Sequence, residues 1–186
     1  MTRAHAFVVS LAVLATSLGA ASQTASRETV AGIVNFTPID KNVTVGGALS
    51  PEAVPELKRR GFKAVINLRK ASEANANVEA EGEAVRAAGL KYINLPFAVT
   101  DPYEVAAPQV DLFLKTLADR SNWPVFIHSA QSHRPTGLLV IKRVLEDGWS
   151  VEKAYAADDA QVLADGSAGA KGIHDFVAVY LKAHGK

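Results

Sequence analysis

The sequence predicts an α/β protein with a mainly parallel central sheet flanked by helices. Short apolar runs typical of buried strands, such as Ala64–Leu68 and Val125–His128, alternate with helical patterns. Several helical patterns end at a glycine, for example at Gly61 and Gly89. Because parallel neighbours must be joined by a crossover, helices between the strands favour a parallel sheet that is covered on both faces.

The elements follow one another without a repeat or a long linker. Ser50 and Pro51 are typical of a helix start, and Pro96 ends a strand. A loop is predicted over 96–106, and a turn over 165–169. The predicted strands are 43–45, 64–68, 91–95 and 125–128, and the predicted helices are 51–60, 78–88, 108–119, 136–146, 150–163 and 172–183.

The first residues are typical of an export signal. Arg3 precedes an apolar run from Ala6 to Leu18, and small residues follow from Gly19 to Ser22. The apolar run is shorter than the roughly 20 residues that a spanning helix needs. The mature protein is therefore expected to be exported, periplasmic or secreted, and not membrane-spanning.

The domain prediction follows from this reading. Residues 1–22 are the signal, residues 23–34 form a short N-terminal extension, and residues 35–186 form one domain. The chain has 20 Lys and Arg against 19 Asp and Glu, so nothing in its charge suggests nucleic acid as a partner. It has no cysteine, which excludes a disulfide, a thiolate metal site and a thiol nucleophile. No cofactor is predicted.

The most polar junction follows the last predicted strand. Val125–His128 runs into Ser129-Ala-Gln-Ser-His-Arg134, and Pro135-Thr-Gly137 opens the next helix. A strand, a tight loop and a helix start bring unpaired amides and a positive dipole end to one point, which suits an oxyanion. Arg134 is placed to hold two oxygens of that anion. The alternative is that Arg134 is only a solvated or ion-paired side chain.

Other readings of this junction fit less well. A nucleophile elbow needs glycines two residues either side of the serine, but Ile127 and Gln131 stand there. His128 and His133 lack the carboxylate spacing of a zinc motif, so no metal site is predicted. The phosphate-binding sequence of the Walker type is absent.

Several motifs in fixed order carry a family resemblance. They are Asn35-Phe36, Val43 to Glu52, Gly61-Phe-Lys-Ala-Val-Ile-Asn-Leu-Arg69, Tyr92 to Phe97, Pro124 to Arg134 and Gly148 to Glu152. Together they resemble exported bacterial tyrosine-phosphatase-like proteins, relatives of the phosphatase-like domains fused to β-lactamase-like hydrolases. The resemblance implies the fold of the cysteine-dependent dual-specificity phosphatases. It also implies a phosphate loop with four residues between the cysteine and the arginine, one fewer than usual.

The resemblance also implies roles for residues. Ser129 stands where the family has its nucleophilic cysteine, after the family histidine at His128, and Asp101 matches the general acid that protonates the leaving oxygen. Ser132 stands where many relatives have glycine, so a positive φ there costs about a kilocalorie. The predicted catalytic residues are Ser129, Asp101 and His128, and the predicted phosphate-binding residues are Ser129, Ala130, Gln131, Ser132, His133 and Arg134.

The serine decides the expected activity. A helix N-terminus lowers a cysteine pKa to roughly 3.5–7.5, but a serine hydroxyl titrates far too high to ionise there. Hydrolysis of phosphate monoesters is therefore expected to be absent or much slowed. Three functions stay open: binding of a phosphorylated protein or small oxyanion ligand, residual hydrolysis, and partner binding without catalysis.

The export reading predicts processing near residue 22. Mass spectrometry of the protein from its native cells should find a mature chain that begins near Ala21 or Gln23. Recovery of the intact chain from Met1 in the cytoplasm would contradict the reading.

Overall fold

A six-stranded mixed sheet forms the centre of the fold. The computed structural model describes residues 26–186, so the predicted signal at 1–22 lies outside the described residues. The strands lie in the order β1-β2-β3-β6-β4-β5. Their bounds are β1 Glu28–Val30, β2 Ile33–Pro38, β3 Val43–Gly46, β4 Ala64–Asn67, β5 Lys91–Asn94 and β6 Val125–His128.

Strand β6 is the middle of a parallel core. It pairs in parallel with β3 on one side and β4 on the other, and β4 pairs in parallel with β5. The β1–β2 and β2–β3 pairs are antiparallel. All four residues of β6 are fully buried. The sheet is thus mixed with a parallel centre, which confirms the predicted fold class.

Helices cover both faces of the sheet. Alternate residues of β6 point to opposite cores: Phe126 packs with α1 and α2, whereas Ile127 packs with α3, α4 and α6. The helices are α1 Val54–Arg59, α2 Val78–Ala87, α3 Tyr103–Ala118, α4 His133–Leu145, α5 Val151–Tyr155 and α6 Ala168–Ala183. Short 3₁₀ segments lie at Pro51–Ala53, Arg120–Asn122 and Asp158–Ala164.

Strands β1 and β2 were not predicted, and residues 28–30 and 33–34 of the proposed extension lie in them. The reason is local. Asn35 has φ 51° in the middle of β2, so buried residues recur at Ile33 and Phe36, three apart rather than two. This irregularity hides the alternation by which a strand is recognised in a sequence.

The bounds of four helices also differ from the prediction. Helix α3 begins at Tyr103, so the predicted loop over 96–106 is shorter, and Pro108 lies inside the helix rather than at its start. Helix α4 begins at His133, in the polar junction itself. The helix predicted over 150–163 is split, because the chain leaves α5 after Tyr155 and turns into a 3₁₀ segment. Helix α6 begins at Ala168, before the predicted start at 172.

Within residues 26–186, no helix has both the length and the apolar character needed to cross a bilayer.

A buried ion pair accounts for the split helix. The guanidinium of Arg143 on α4 donates to both carboxylate oxygens of Asp159, at 3.0 and 2.8 Å. Both side chains are buried, and Arg143 also lies over the ring of Trp149 at 5.3 Å. Since a buried charge must be paired, this contact fixes the path of the chain after α5.

Removing one partner of this ion pair should destabilise the protein more than replacing both partners with apolar residues. Asp159→Leu leaves Arg143 buried without its partner and should lower the free energy of unfolding by about 3 kcal/mol. The double variant Arg143→Met with Asp159→Leu should recover much of that loss, because it removes both charges. Urea unfolding of the three proteins measures the difference. A double variant as unstable as the single one would contradict this account.

Candidate active site

The polar junction lies at the carboxyl edge of the sheet. Strand β6 ends at His128, residues 129–132 form the β6–α4 loop, and α4 begins at His133. Ligands of α/β proteins collect at this edge, beside the N-termini of helices. The structure thus gives the predicted site residues of 128–134 the strand, loop and helix context that the sequence suggested.

The β6–α4 loop is held from behind through its carbonyl groups. The amide of Ala48 donates to the carbonyl of Ala130 at 3.0 Å, and Asn35 Nδ2 donates to the carbonyl of Gln131 at 3.2 Å. A side chain at Gly47 would crowd this contact, since a Cβ there would lie 2.8 Å from the Ala130 oxygen. In a trans peptide the N–H points away from the C=O. The Gln131 amide, which follows the Ala130 carbonyl, is therefore turned away from Ala48.

Several loop amides have no partner. Within residues 26–186, the backbone N–H groups of Ala130, Gln131, His133 and Arg134 donate no hydrogen bond to any backbone or side-chain acceptor. Two of these belong to the first turn of α4, where intrahelical partners do not exist. Unpaired amides of a loop and of a helix start are the donors that protein sites use for anions.

Arg134 is anchored through one side of its guanidinium. Nη1 donates to the carbonyls of Leu68 at 3.0 Å and Phe97 at 2.7 Å, and the carboxylate of Glu73 accepts from Nη1 at 2.6 Å and from Nη2 at 2.7 Å. Nε has no partner within the described residues. Arg134 is thus ion-paired, as the alternative reading of the sequence allowed, while its Nε is not used by these four hydrogen bonds.

Glu73 is itself held by the segment after β4. It accepts a hydrogen bond from the Lys70 amide at 2.9 Å and from Arg69 Nε at 3.4 Å. Burial acts to raise the pKa of Glu73, but the hydrogen bond from Arg134, the Lys70 amide, the charge of Arg134 and Arg69 outweigh it, so the pKa lies below its ordinary 4.5. Glu73 therefore stays ionised and positions Arg134.

A cavity of about 500 Å³ opens above the loop. Ser129, itself 2% exposed, lies in its lining together with Arg134. Its other lining residues come from the segments after β4 and β5 and from α6: Lys70, Ser72, Glu73, Ala98, Val99, Thr100, Ala130, Gln131, His133, Gly169 and Ile173. No group of three or more His, Cys, Asp and Glu side chains that suits a metal ion occurs in the described part of the chain.

His128 does not reach this cavity. Its fully buried ring points to the α2 side, where Nε2 lies 2.9 Å from Glu81 Oε1. Asn67 Nδ2 donates to the same Glu81 oxygen at 2.8 Å and to the Tyr92 hydroxyl at 3.0 Å. Burial, and then the charge of Glu81, raises the pKa of Tyr92. His128 thus anchors the end of β6, and it has no place among the residues that line the cavity.

Asp101 is also engaged elsewhere. Its carboxylate accepts a hydrogen bond from Lys70 Nζ at 2.5 Å, and its side chain is only 18% exposed. Thr100 lines the cavity, but Asp101 does not. The structure thus places the predicted general acid near the site, with a carboxylate oxygen bound to a neighbouring ammonium group.

Ser132 adopts the left-handed conformation, with φ 73° and ψ −8°. This is the conformation in which the sequence predicts a cost for any residue but glycine. Its hydroxyl donates to the carbonyl of Gln131. The side chain is buried at 3% exposure. The loop therefore contains a strained backbone at Ser132 and also accommodates its side chain.

The sequence did not identify the charged partners of these residues. Glu73, Lys70, Glu81 and Asp165 lie in helices or turns far from the junction in sequence, and only the fold brings them to it. Arg69 ended one of the quoted motifs, which was the available signal. It donates to the carbonyls of Asn75 and Ala74 at 3.0 and 2.7 Å and so shapes the segment that carries Glu73.

With the geometry described, comparison with known proteins identifies the family. Residues 23–173 match the family described as the DSP-PTPase phosphatase fused to NAD+ kinase. The chain belongs to this family. Over 97 residues it is also 30% identical to the rice protein named probable NAD kinase 2, chloroplastic (Oryza sativa subsp. japonica). This match covers 51% of the chain and only 10% of the rice protein.

Solved structures show the same phosphatase fold. A candidate phosphatase of Shewanella putrefaciens CN-32 superposes with a TM-score of 0.63 at 19% identity, covering 80% of this chain and 90% of that one. The core catalytic domain of the PP-IP phosphatase of S. cerevisiae, solved with citrate, gives 0.61 at 19% identity over 82% and 88% of the two chains. A cysteine-to-serine variant of P. aeruginosa TpbA, solved with phosphotyrosine, gives 0.56 at 16% identity over 86% and 99%.

Removal of the backbone strain at Ser132 should stabilise the protein. Ser132→Gly should raise the free energy of unfolding by about 1 kcal/mol, because glycine adopts a positive φ without the Cβ penalty. Ser132→Ala is the matched control, since it removes the hydroxyl but keeps the Cβ and should give no gain. Chemical denaturation of the three proteins tests this, and a gain in the alanine variant would point to the hydroxyl instead.

The Glu73 contact should depend on pH. A carboxyl group whose pKa is depressed by folding stabilises the native state above its unfolded pKa, and loses that contribution as the pH falls through the folded value. Glu73→Gln should therefore have a lower free energy of unfolding than the natural chain near pH 7. This difference should become smaller as the pH falls below 4.5, the ordinary pKa of the Glu73 carboxyl group. Glu79→Gln, an exposed position on α2, is the control and should show no such gap. A constant gap across this range would contradict the ion-pair account.

Proposed function

We propose that this chain binds phosphorylated or other oxyanion ligands on residues 129–134 and hydrolyses phosphate monoesters slowly or not at all. The carrying observation is that Ser129, Ala130, Gln131, His133 and Arg134 line one cavity, while the backbone amides of the last four and Arg134 Nε have no hydrogen-bond partner within the described residues. Hydrogen bonds to a charged acceptor contribute about 1.5–3 kcal/mol each, so this set of donors suits a tetrahedral anion.

The serine accounts for the slow hydrolysis. In the family reaction a thiolate attacks phosphorus, and the amides and arginine stabilise the equatorial oxygens. Ser129 retains the position but not the ionisable thiol. Binding and catalysis are thereby separated, because the donors that hold the anion do not depend on the nucleophile. The phosphotyrosine bound by the cysteine-to-serine variant of TpbA supports this reading of the present site.

Anion binding can be measured by thermal unfolding. Phosphate, sulfate or vanadate should raise the melting temperature, since a ligand at a hundred times its Kd stabilises by about 2.7 kcal/mol. Arg134→Ala should remove most of that rise. Arg59→Ala is the control, because Arg59 is an exposed arginine on α1 that does not line the cavity, and this variant should respond like the natural chain. Equal responses of the Arg134→Ala and natural proteins would favour a partner-binding role over anion binding.

Ser129→Cys tests the cost of the serine. If the amides and Arg134 form the anion site, the variant should hydrolyse an aryl phosphate at least a hundredfold faster than the natural chain, at about 1.4 kcal/mol of barrier per tenfold. A silent variant that still binds phosphate would indicate a distorted loop, and Ser132→Gly is then added. High activity of the natural chain that is lost in Ser129→Ala would establish a serine-based hydrolase instead.

The site of action is a separate part of the proposal. The segment before the family match has the charged, apolar and small-residue regions of an export signal, which supports a ligand outside the cytoplasm. The mass measurement described for the mature N-terminus tests it.

A further inference from the structure

A histidine–carboxylate pair lies at the wall of the cavity. His133 opens α4, and its Nε2 lies 2.7 Å from Asp165 Oδ2 in the turn before α6. The other oxygen of Asp165 accepts the amide of Ser167 at 2.8 Å. Each carboxylate oxygen thus has one partner, and the turn that caps α6 holds the acid in place. His133 lines the cavity beside Ser129 and Arg134.

The pairing fixes which ring nitrogen is left for a ligand. With Nε2–H donated to Asp165, a neutral ring keeps its lone pair on Nδ1, and a protonated ring presents an N–H there. Nδ1 lies against Gly169: a Cβ at that glycine would be 3.0 Å from it. His133 and Gly169 both line the cavity, and Nδ1 is the ring nitrogen that Asp165 leaves unused.

We propose that His133, oriented by Asp165, donates its Nδ1–H to the bridging oxygen of a ligand bound on the β6–α4 loop, and transfers that proton when the P–O ester bond breaks. The inference rests on the proposed function and gives His133 the role that the family resemblance assigned to Asp101. Asp101 is bonded to Lys70 and lies outside the lining of the cavity, whereas His133 is part of it.

The remaining charged groups at the cavity do not compete for this role. Lys70 and Glu73 come from the segment after β4 and Arg134 from α4, and each is bonded to an opposite charge. Residues Gly169 and Ile173 of α6 carry no charge. The Ser167 side chain, the Ser167 amide and the His133 ring together lower the pKa of Asp165 to about 2, so this acid stays ionised beside the imidazole at neutral pH.

The proton balance is clearest in Ser129→Cys. The thiolate forms a bond to phosphorus, the P–O ester bond breaks, and the leaving oxygen takes the proton from Nδ1 of the imidazolium. Water then attacks the thiophosphate and gives a proton back to Nδ1, which releases inorganic phosphate and restores the thiolate. In the natural chain the same N–H donates a hydrogen bond to the bridging oxygen of the bound ester.

Leaving-group dependence distinguishes the two candidate donors. In the Ser129→Cys background, His133→Gln should lower kcat about a hundredfold on phenyl phosphate, and far less on 4-nitrophenyl phosphate, whose leaving group needs no proton. The descending limb of the pH profile should disappear. Asp165→Asn should also lower the rate on phenyl phosphate, because it removes the acceptor that orients the His133 ring. Asp101→Asn should lower the two rates equally.

Proton uptake in the natural chain gives an independent readout. Sulfate does not titrate near neutral pH, so calorimetry in buffers of different ionisation enthalpy reports protons taken up by the protein. Sulfate binding to the natural chain should be accompanied by proton uptake that is absent in His133→Gln. This measurement decides the matter if Ser129→Cys is silent.

Two results would overturn the inference while leaving anion binding intact. One is a leaving-group-dependent loss in Asp101→Asn but not in His133→Gln. The other is unchanged proton uptake in His133→Gln. If phosphate and sulfate do not raise the melting temperature of the natural chain at all, the proposed function fails first and this inference fails with it.

Discussion

The site depends on the direction of two peptide groups. The carbonyl of Ala130 accepts from the Ala48 amide, which turns the following Gln131 N–H away from that contact, and the carbonyl of Gln131 accepts from Asn35 Nδ2. Those contacts require the left-handed Asn35 in β2 and the close approach at Gly47. A feature that looks like a defect of an edge region is therefore what shapes the loop at the centre of the sheet.

The sequence predicted the parts of the fold that follow simple periodicity. Buried strands such as β4 and β6, and the strand, loop and helix order of residues 125–134, could be recognised because each depends on near neighbours. Strand β2 was missed because Asn35 breaks its alternation, and the start of α3 was missed because Pro108 suggested a first turn. In both places the tertiary structure overrides a local preference.

The same distinction applies to the candidate site. The loop and Arg134 could be found because they are contiguous, but the carboxylates that orient them could not. Glu73 and Asp165 lie 61 and 32 residues from their partners in sequence, so only the packed structure shows these pairs. Around the cavity, the side chains of Lys70, His133 and Arg134 each contact one carboxylate. Each carboxylate orients its partner side chain and offsets positive charge at the cavity. An anion would therefore be held mainly by the backbone amides and by N–H groups without a partner.

The buried cluster below the loop bears on how the chain finds its fold. His128, Glu81, Asn67 and Tyr92 come from β6, α2, β4 and β5, and each pair bonds across elements distant in sequence. A shift of β5 by one residue would turn Tyr92 away from Asn67 and leave polar groups unpaired in an apolar interior. The hydrogen bonds of this cluster thus favour the native register of β5 over a shifted one. A compact state with a shifted strand would bury nearly as much apolar surface. It is disfavoured because its buried polar groups lose their hydrogen bonds.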